Sequence, residues 1–185
     1  MVLSLAAALD QARASRAEQW EIAALASLLE QMETANRENR GRTGPLPMCG
    51  ELKFEVTPEA SVFTKPIIML IDEMDVSAAE IVPAMFQDSR RGKLVGIRTM
   101  GGGSSYSTYT AGAYMPMTAN VSVTLFARRA VHAVPGYPTG YYVENVGVQP
   151  DVALDYMTRE NLLGRGTSFV EAFTQVLVEQ IRSAQ

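Results

Sequence analysis

Between Pro66 and Arg91 the spacing of apolar positions changes once, and that change marks the stretch around which the chain is organised. Ile67 to Ile71 are five consecutive apolar residues, rich in β-branching and without polar alternation. This is the pattern of a strand buried on both faces of an α/β sheet. Polar residues interrupt it at Asp72, Glu73 and Asp75. From Ser77 the spacing becomes helical, with Ile81, Ala84 and Met85 on one side and Gln87, Asp88 and Arg90 toward water. Ser77 therefore stands where a buried strand gives way to a helix. The N–H groups of a first helical turn, with the helix dipole, stabilise negative charge at such a corner. Serine is also a preferred helix N-cap, so the local pattern alone does not choose between a cap and a nucleophile.

On either side, the periodicity predicts further elements. Residues 2 to about 40 read as helix in two pieces, the second carrying Trp20, Leu25, Leu28, Leu29 and Met32 on one side. Trp20 is expected in a core. Gly41, Gly44, Pro45 and Pro47 end this helical segment, 1–47, and residues 48–185 form the α/β remainder. Alternation of Leu52, Phe54 and Val56 predicts a short strand stopped by Pro58. Lys93 to Arg98 is a second short buried strand after a glycine helix stop at Gly92, completing a β-α-β unit with parallel strands and a right-handed crossover. Gly101, Gly102 and Gly103 precede two serines but lack the Lys-Ser/Thr of a phosphate loop, and are expected to form a flexible loop bordering Ser77. Residues 105–115 and 120–127 are strands, with Val121, Val123 and Leu125 turned inward, followed by a charged edge at Arg128 and Arg129. Residues 133–140 form a Pro/Gly-rich loop, Glu144 stands beside a turn, and Pro150-Asp151 opens a short extended segment. Ser168 and Glu171 form a capping-box pattern ahead of a terminal amphipathic helix.

Composition narrows the chemistry. With 185 residues, 47% hydrophobic and 19% charged, the chain suits one globular unit. A formal net charge of −4 supplies no basic field for nucleic acid or anionic membrane, and no apolar run is long enough to cross a bilayer. The opening apolar segment lacks a basic flank and is a poor match to a signal peptide. Cys49 is the only cysteine, so neither an intrachain disulfide nor a multi-cysteine metal site can form. His132 is the only histidine, which excludes a histidine-rich metal site; its simplest role is that of a strand-end or loop residue.

Three motifs in fixed order distinguish the two roles of Ser77. VSAAEIVPAMFQDSRRGKLVGIRTMGGG followed by ENVGVQPDVAL resembles the C-terminal half of the catalytic domain of the carboxyl-terminal processing proteases, a family that includes tail-specific proteases and the tricorn core protease. The resemblance runs from about Lys65 to the final helix. It implies a crotonase-like sheet-and-helix core and peptide-bond hydrolysis without a cofactor. In the family the Ser of S-A-[SA]-E is the nucleophile, matched by Ser77, and the following N–H, here that of Ala78, contributes to the oxyanion hole. Gly101, Gly102 and Gly103 would border the substrate. Members with a Ser/Lys dyad carry lysine where this chain has Gly102, which disfavours that mechanism. Tricorn-like members use Ser, His and Glu, with the Glu in E-x-x-G-V-x-P-D; Glu144 to Asp151 match it, making Glu144 the candidate orienting carboxylate. The family's histidine and a glycine-rich oxyanion turn lie N-terminal to the nucleophile, whereas His132 lies C-terminal to it. The expectation is a fragment that is inactive alone, associates with the rest of its catalytic domain or with a second copy, and acts on peptide or protein substrates as part of a whole enzyme. The resemblance favours an extracytoplasmic location. The alternative is a non-catalytic relative holding an apolar ligand such as a retinoid or fatty acid, to which the ten Met, with Tyr106, Tyr109, Tyr114, Tyr137, Tyr141 and Tyr142, would contribute.

Overall fold

A computed structural model describes residues 2–46, 62–110 and 112–183, which fall into two compact units, Met1–Val62 and Phe63–Gln185. Cys49 and the strand expected at Leu52, Phe54 and Val56 lie outside the described residues.

The first unit is a pair of helices, α1 (Val2–Ala14) and α2 (Gln19–Arg37), as the Ala- and Leu-rich sequence predicts. Arg16, at φ 56°, takes the left-handed position that stops α1. Leu9, Ala12 and Ala35 are its buried residues. Trp20 is not among them: at the first turn of α2 it remains 48% exposed.

The second unit is mixed helix and strand. Its elements are β1 (Ile68–Ile71), α3 (Ala78–Asp88), β2 (Lys93–Gly96), β3 (Ser104–Thr110), β4 (Thr118–Leu125), β5 (Ala127–His132), β6 (Gly140–Tyr142), β7 (Val152–Ala153), α4 (Arg159–Leu163) and α5 (Thr167–Ser183). The predicted β-α-β unit is present: β1 and β2 pair in parallel, and β7 adds in parallel on the far side of β2. At the two ends of this pairing a carbonyl, that of the residue before β1 and that of its last residue, passes directly over glycine. A Cβ on Gly92 would lie 2.1 Å from Ile67 O, and one on Gly96 2.0 Å from Ile71 O.

The core is built from one face of β1 and what packs on it: Ile71, Ala84, Phe86, Leu94, Val143 and Val148, with Ile67, Met69 and Phe126 alongside. β1 is thus buried on one face rather than two. Among the described residues it is an edge strand of the sheet, and Leu70 is 45% exposed. Met85 also faces outward, at 60% exposure, because α3 turns Pro83, Ala84 and Phe86 inward instead. Strands β3 and β4 form an antiparallel ribbon where two strands are predicted, but Val121 and Leu125 stay 49% and 41% exposed. A two-stranded ribbon has no second layer of its own to cover either face. At the C-terminus, Thr158 caps the short α4 by accepting from Asn161 N–H at 3.1 Å. Helix α5 begins at Thr167, so Ser168 is inside it rather than its cap, and its hydroxyl meets Asn161 Oδ1 at 3.2 Å.

Candidate functional site

The chain leaves β1 through a turn stitched by its own carboxylates. Asp72 Oδ1 accepts from Met74 N–H at 2.8 Å, and Asp75 Oδ2 accepts from Asp72 N–H at 3.0 Å. Such short side chains replace the backbone partners lost at a strand end. The turn delivers Ser77 with φ 60° and ψ −118°, a conformation that glycine adopts freely and a residue with Cβ does not. Holding it costs about 1–3 kcal/mol, which the surrounding structure must supply. Ser77 and Ala78 are both exposed, and Ala78 opens α3, where N–H groups have no intrahelical acceptor.

Behind the corner, Glu80 has no exposed surface, and its carboxylate accepts from two segments, the Ser77 corner and Thr99 to Gly102. Oε1 takes the Thr99 hydroxyl at 2.5 Å and Gly101 N–H at 2.8 Å; Oε2 takes Gly102 N–H at 2.6 Å and Ser77 N–H at 3.3 Å. Met100 N–H also donates to Asp75 O at 3.0 Å. The glycine loop is therefore tied down beside Ser77, rather than flexible as its sequence predicts. A Cβ at Gly102 would stand 3.8 Å from Ser77 N but 2.5 Å from Val76 Cγ2, so a lysine there would have to displace Val76.

Glu144 lies in the turn after β6, and that turn is bound to the same loop. Asn145 N–H donates to Gly101 O at 2.7 Å, Arg98 to Val146 O at 2.9 Å, and Val148 N–H to the Thr99 hydroxyl at 2.7 Å. A Cβ on Gly103 would come within 2.8 Å of Glu144 N. Gly102 thus adjoins Ser77, and Gly103 adjoins Glu144. Glu144 Oε2 is buried with no hydrogen-bond partner among the described residues. A buried carboxylate oxygen left without a donor is costly.

His132 is elsewhere. At the end of β5 its Nε2 is 2.9 Å from Asp88 Oδ1, at the opposite end of α3 from Ser77. Eleven residues of helix separate the two sites by about 16 Å. Asp88, expected in water, is nearly buried, as is Arg128, expected at a charged edge; their side chains are 10% and 4% exposed and joined at 2.5 Å. Burial raises the Asp88 pKa, but Arg128, His132 and the Arg129 N–H together outweigh it and hold the carboxyl below its usual 3.8. Sequence reasoning assigned no role to Glu80 or Thr99. The Ser77-x-x-Glu80 spacing is itself a capping-box signal, from which the contact between Glu80 and the Ser77 N–H could have been read.

The chain is similar to known proteins over most of its length. The profile of peptidase family S41 matches residues 10–154. A protein of Chlamydia pneumoniae is 30% identical over 138 residues, 74% of this chain and 21% of that protein. A carboxy-terminal-processing protease of Bartonella bacilliformis is 29% identical over 108 residues, 58% of this chain and 22% of the protease. The crystal structure of mature CPAF superposes with a TM-score of 0.66 at 26% identity, covering 89% of this chain and 29% of CPAF. The chain thus spans between a fifth and a third of the length of these proteins. The match over residues 10–154 and the shared mixed helix-and-strand fold lead to one conclusion: the chain belongs to peptidase family S41.

Proposed function

We propose that these residues are the C-terminal part of the catalytic domain of a serine peptidase, with a crotonase-like sheet-and-helix core, in which Ser77 is the nucleophile. The observation that carries this reading is the backbone of Ser77. A serine held at φ 60° between a strand and a helix is a costly conformation, and such strain concentrates at functional sites. A helix cap needs no such conformation, since an N-cap normally sits in the β region.

In this reading Ser77 Oγ attacks a peptide carbonyl and the Ala78 N–H stabilises the oxyanion, one such donor lowering the barrier by about 3 kcal/mol. The loop Gly101 to Gly103 borders the bound peptide. Glu144 orients a histidine base supplied by residues outside this chain, and its unpartnered buried Oε2 supports that role. The position of His132, bound to Asp88, supports excluding it as the base. Ser77 is exposed in these residues, so water competes for the same donors and the isolated chain lacks appreciable peptidase activity. The missing wall comes from the rest of the catalytic domain or from a second copy. The test is fluorophosphonate labelling of the full-length protein, followed by mapping of the modified residue. Labelling at Ser77 is expected; a folded full-length protein with Ser77 unmodified would instead favour a non-catalytic binding module. Appreciable hydrolysis by the isolated chain that Ser77→Ala abolishes would overturn the assignment of the base.

A further inference from the structure

Glu80 is the most enclosed ionisable side chain near the corner, and the peptidase mechanism gives it no task. Taking a carboxylate fully out of water is expensive unless its oxygens are satisfied, and here four donors converge on them. What distinguishes this cluster from an ordinary buried polar group is where the donors come from. One is the N–H of Ser77, two belong to the glycine loop, and the fourth is the hydroxyl of Thr99. That hydroxyl also accepts from Val148 N–H, so its donor and acceptor capacities are both engaged. A continuous polar path therefore runs from Ser77 through Glu80 and Thr99 to the turn that carries Glu144. Asn145 N–H on Gly101 O closes the path a second time.

We propose that Glu80, acting through Thr99, is a positioning residue that sets the separation between the Ser77 corner and the Glu144 turn. The proposal rests on the reading of Ser77 as the nucleophile and Glu144 as the orienting carboxylate of one site. A fixed separation matters because a misplacement of 1 Å in such a constellation costs on the order of 100-fold in rate. A glutamine at position 80 would keep one oxygen and set an NH2 group against either the Thr99 and Gly101 donors or those of Gly102 and Ser77. Valine at position 99 would keep the shape and lose both hydroxyl bonds, whereas serine would keep both.

The experiment compares Glu80→Gln, Thr99→Val and Thr99→Ser in the full-length protein, reading the fluorophosphonate labelling rate at Ser77, kcat and KM on a peptide, and amide hydrogen exchange. Glu80→Gln and Thr99→Val should slow labelling and lower kcat by roughly 10- to 100-fold, with KM little changed. Exchange should accelerate by about tenfold or more at Gly101 and Gly102 in Glu80→Gln, and at Val148 in Thr99→Val. Thr99→Ser should restore most of the rate. Wild-type labelling and protection in a folded Thr99→Val variant would overturn the proposal, and that variant decides the matter even if Glu80→Gln does not fold. An unlabelled wild-type protein would overturn the reading of Ser77 and with it the catalytic part of the proposal. Protection at Gly101 and Gly102 would then still decide whether Glu80 holds the loop.

Discussion

If Ser77 holds its conformation against its own Cβ, removing the Cβ should release energy. Glycine at position 77 relieves the strain of φ 60° and ψ −118°, about 1–3 kcal/mol, and gives back about 0.5–1 kcal/mol through the greater freedom of the unfolded chain. Alanine keeps the Cβ and the strain and also loses any capping hydroxyl, a loss of roughly 1 kcal/mol that glycine incurs only in part. Ser77→Gly should therefore be more stable than Ser77→Ala by about 1–3 kcal/mol, although neither retains a nucleophile. With a urea dependence near 2 kcal/mol per molar, this is a midpoint difference of about 0.5–1.5 M. The assay is urea unfolding of the 185-residue chain followed by its tyrosine signal, since all seven tyrosines lie at position 106 or beyond, in the unit that contains Ser77. Trp20 reports separately on the helical pair. A midpoint for Ser77→Ala at or above that of Ser77→Gly would refute the reasoning.

Two further outcomes follow from the far end of α3. The Asp88 carboxyl is held below 3.8 in the folded state, so the stability it contributes is present above the unfolded value near 3.9 and is lost as pH falls through the lower folded value. The difference in urea midpoint between wild type and Asp88→Asn should be largest at about pH 6 and shrink toward about pH 2; a gap that does not change with pH would show that Asp88 is not held in this way. His132→Ala should leave fluorophosphonate labelling of Ser77 in the full-length protein within about twofold of wild type, because about 16 Å of helix separates the two. A labelling rate that collapsed in a folded His132→Ala protein would place the base wrongly.

The β-α-β unit, the ribbon and the helical pair were legible because each rests on local spacing: β-branched runs, alternation, and three- and four-residue repeats. What a side chain meets across the fold was not. Asp88 and Arg128 each sit where a polar residue ordinarily faces water, and only the packing of β5 against α3 brings them together, forty residues apart, and buries them. Leu70 and Met85 fail in the opposite direction. Apolar periodicity shows that a face is suited to burial but not that a neighbour exists to cover it. At the candidate site, motif order singled out Ser77 and Glu144, but the tether between them relies largely on backbone N–H groups, which leave no trace in composition. Of that tether, only Glu80, three residues after Ser77, had a recognisable spacing.

The two glycines that bracket β2 also act as registration marks. Beneath Ile67 O and Ile71 O there is room for a hydrogen atom and for nothing larger. A slip of β2 by one residue would push Arg91 or Lys93 under the first carbonyl and Val95 or Ile97 under the second, and none of these fits. Alignment of the strand pair is therefore checked at both ends by exclusion rather than by attraction, and an error at one end cannot be absorbed at the other. The height at which the chain leaves the sheet, and hence where Ser77 emerges relative to the glycine loop, is thereby constrained by backbone contacts as well as by the polar contacts at the site.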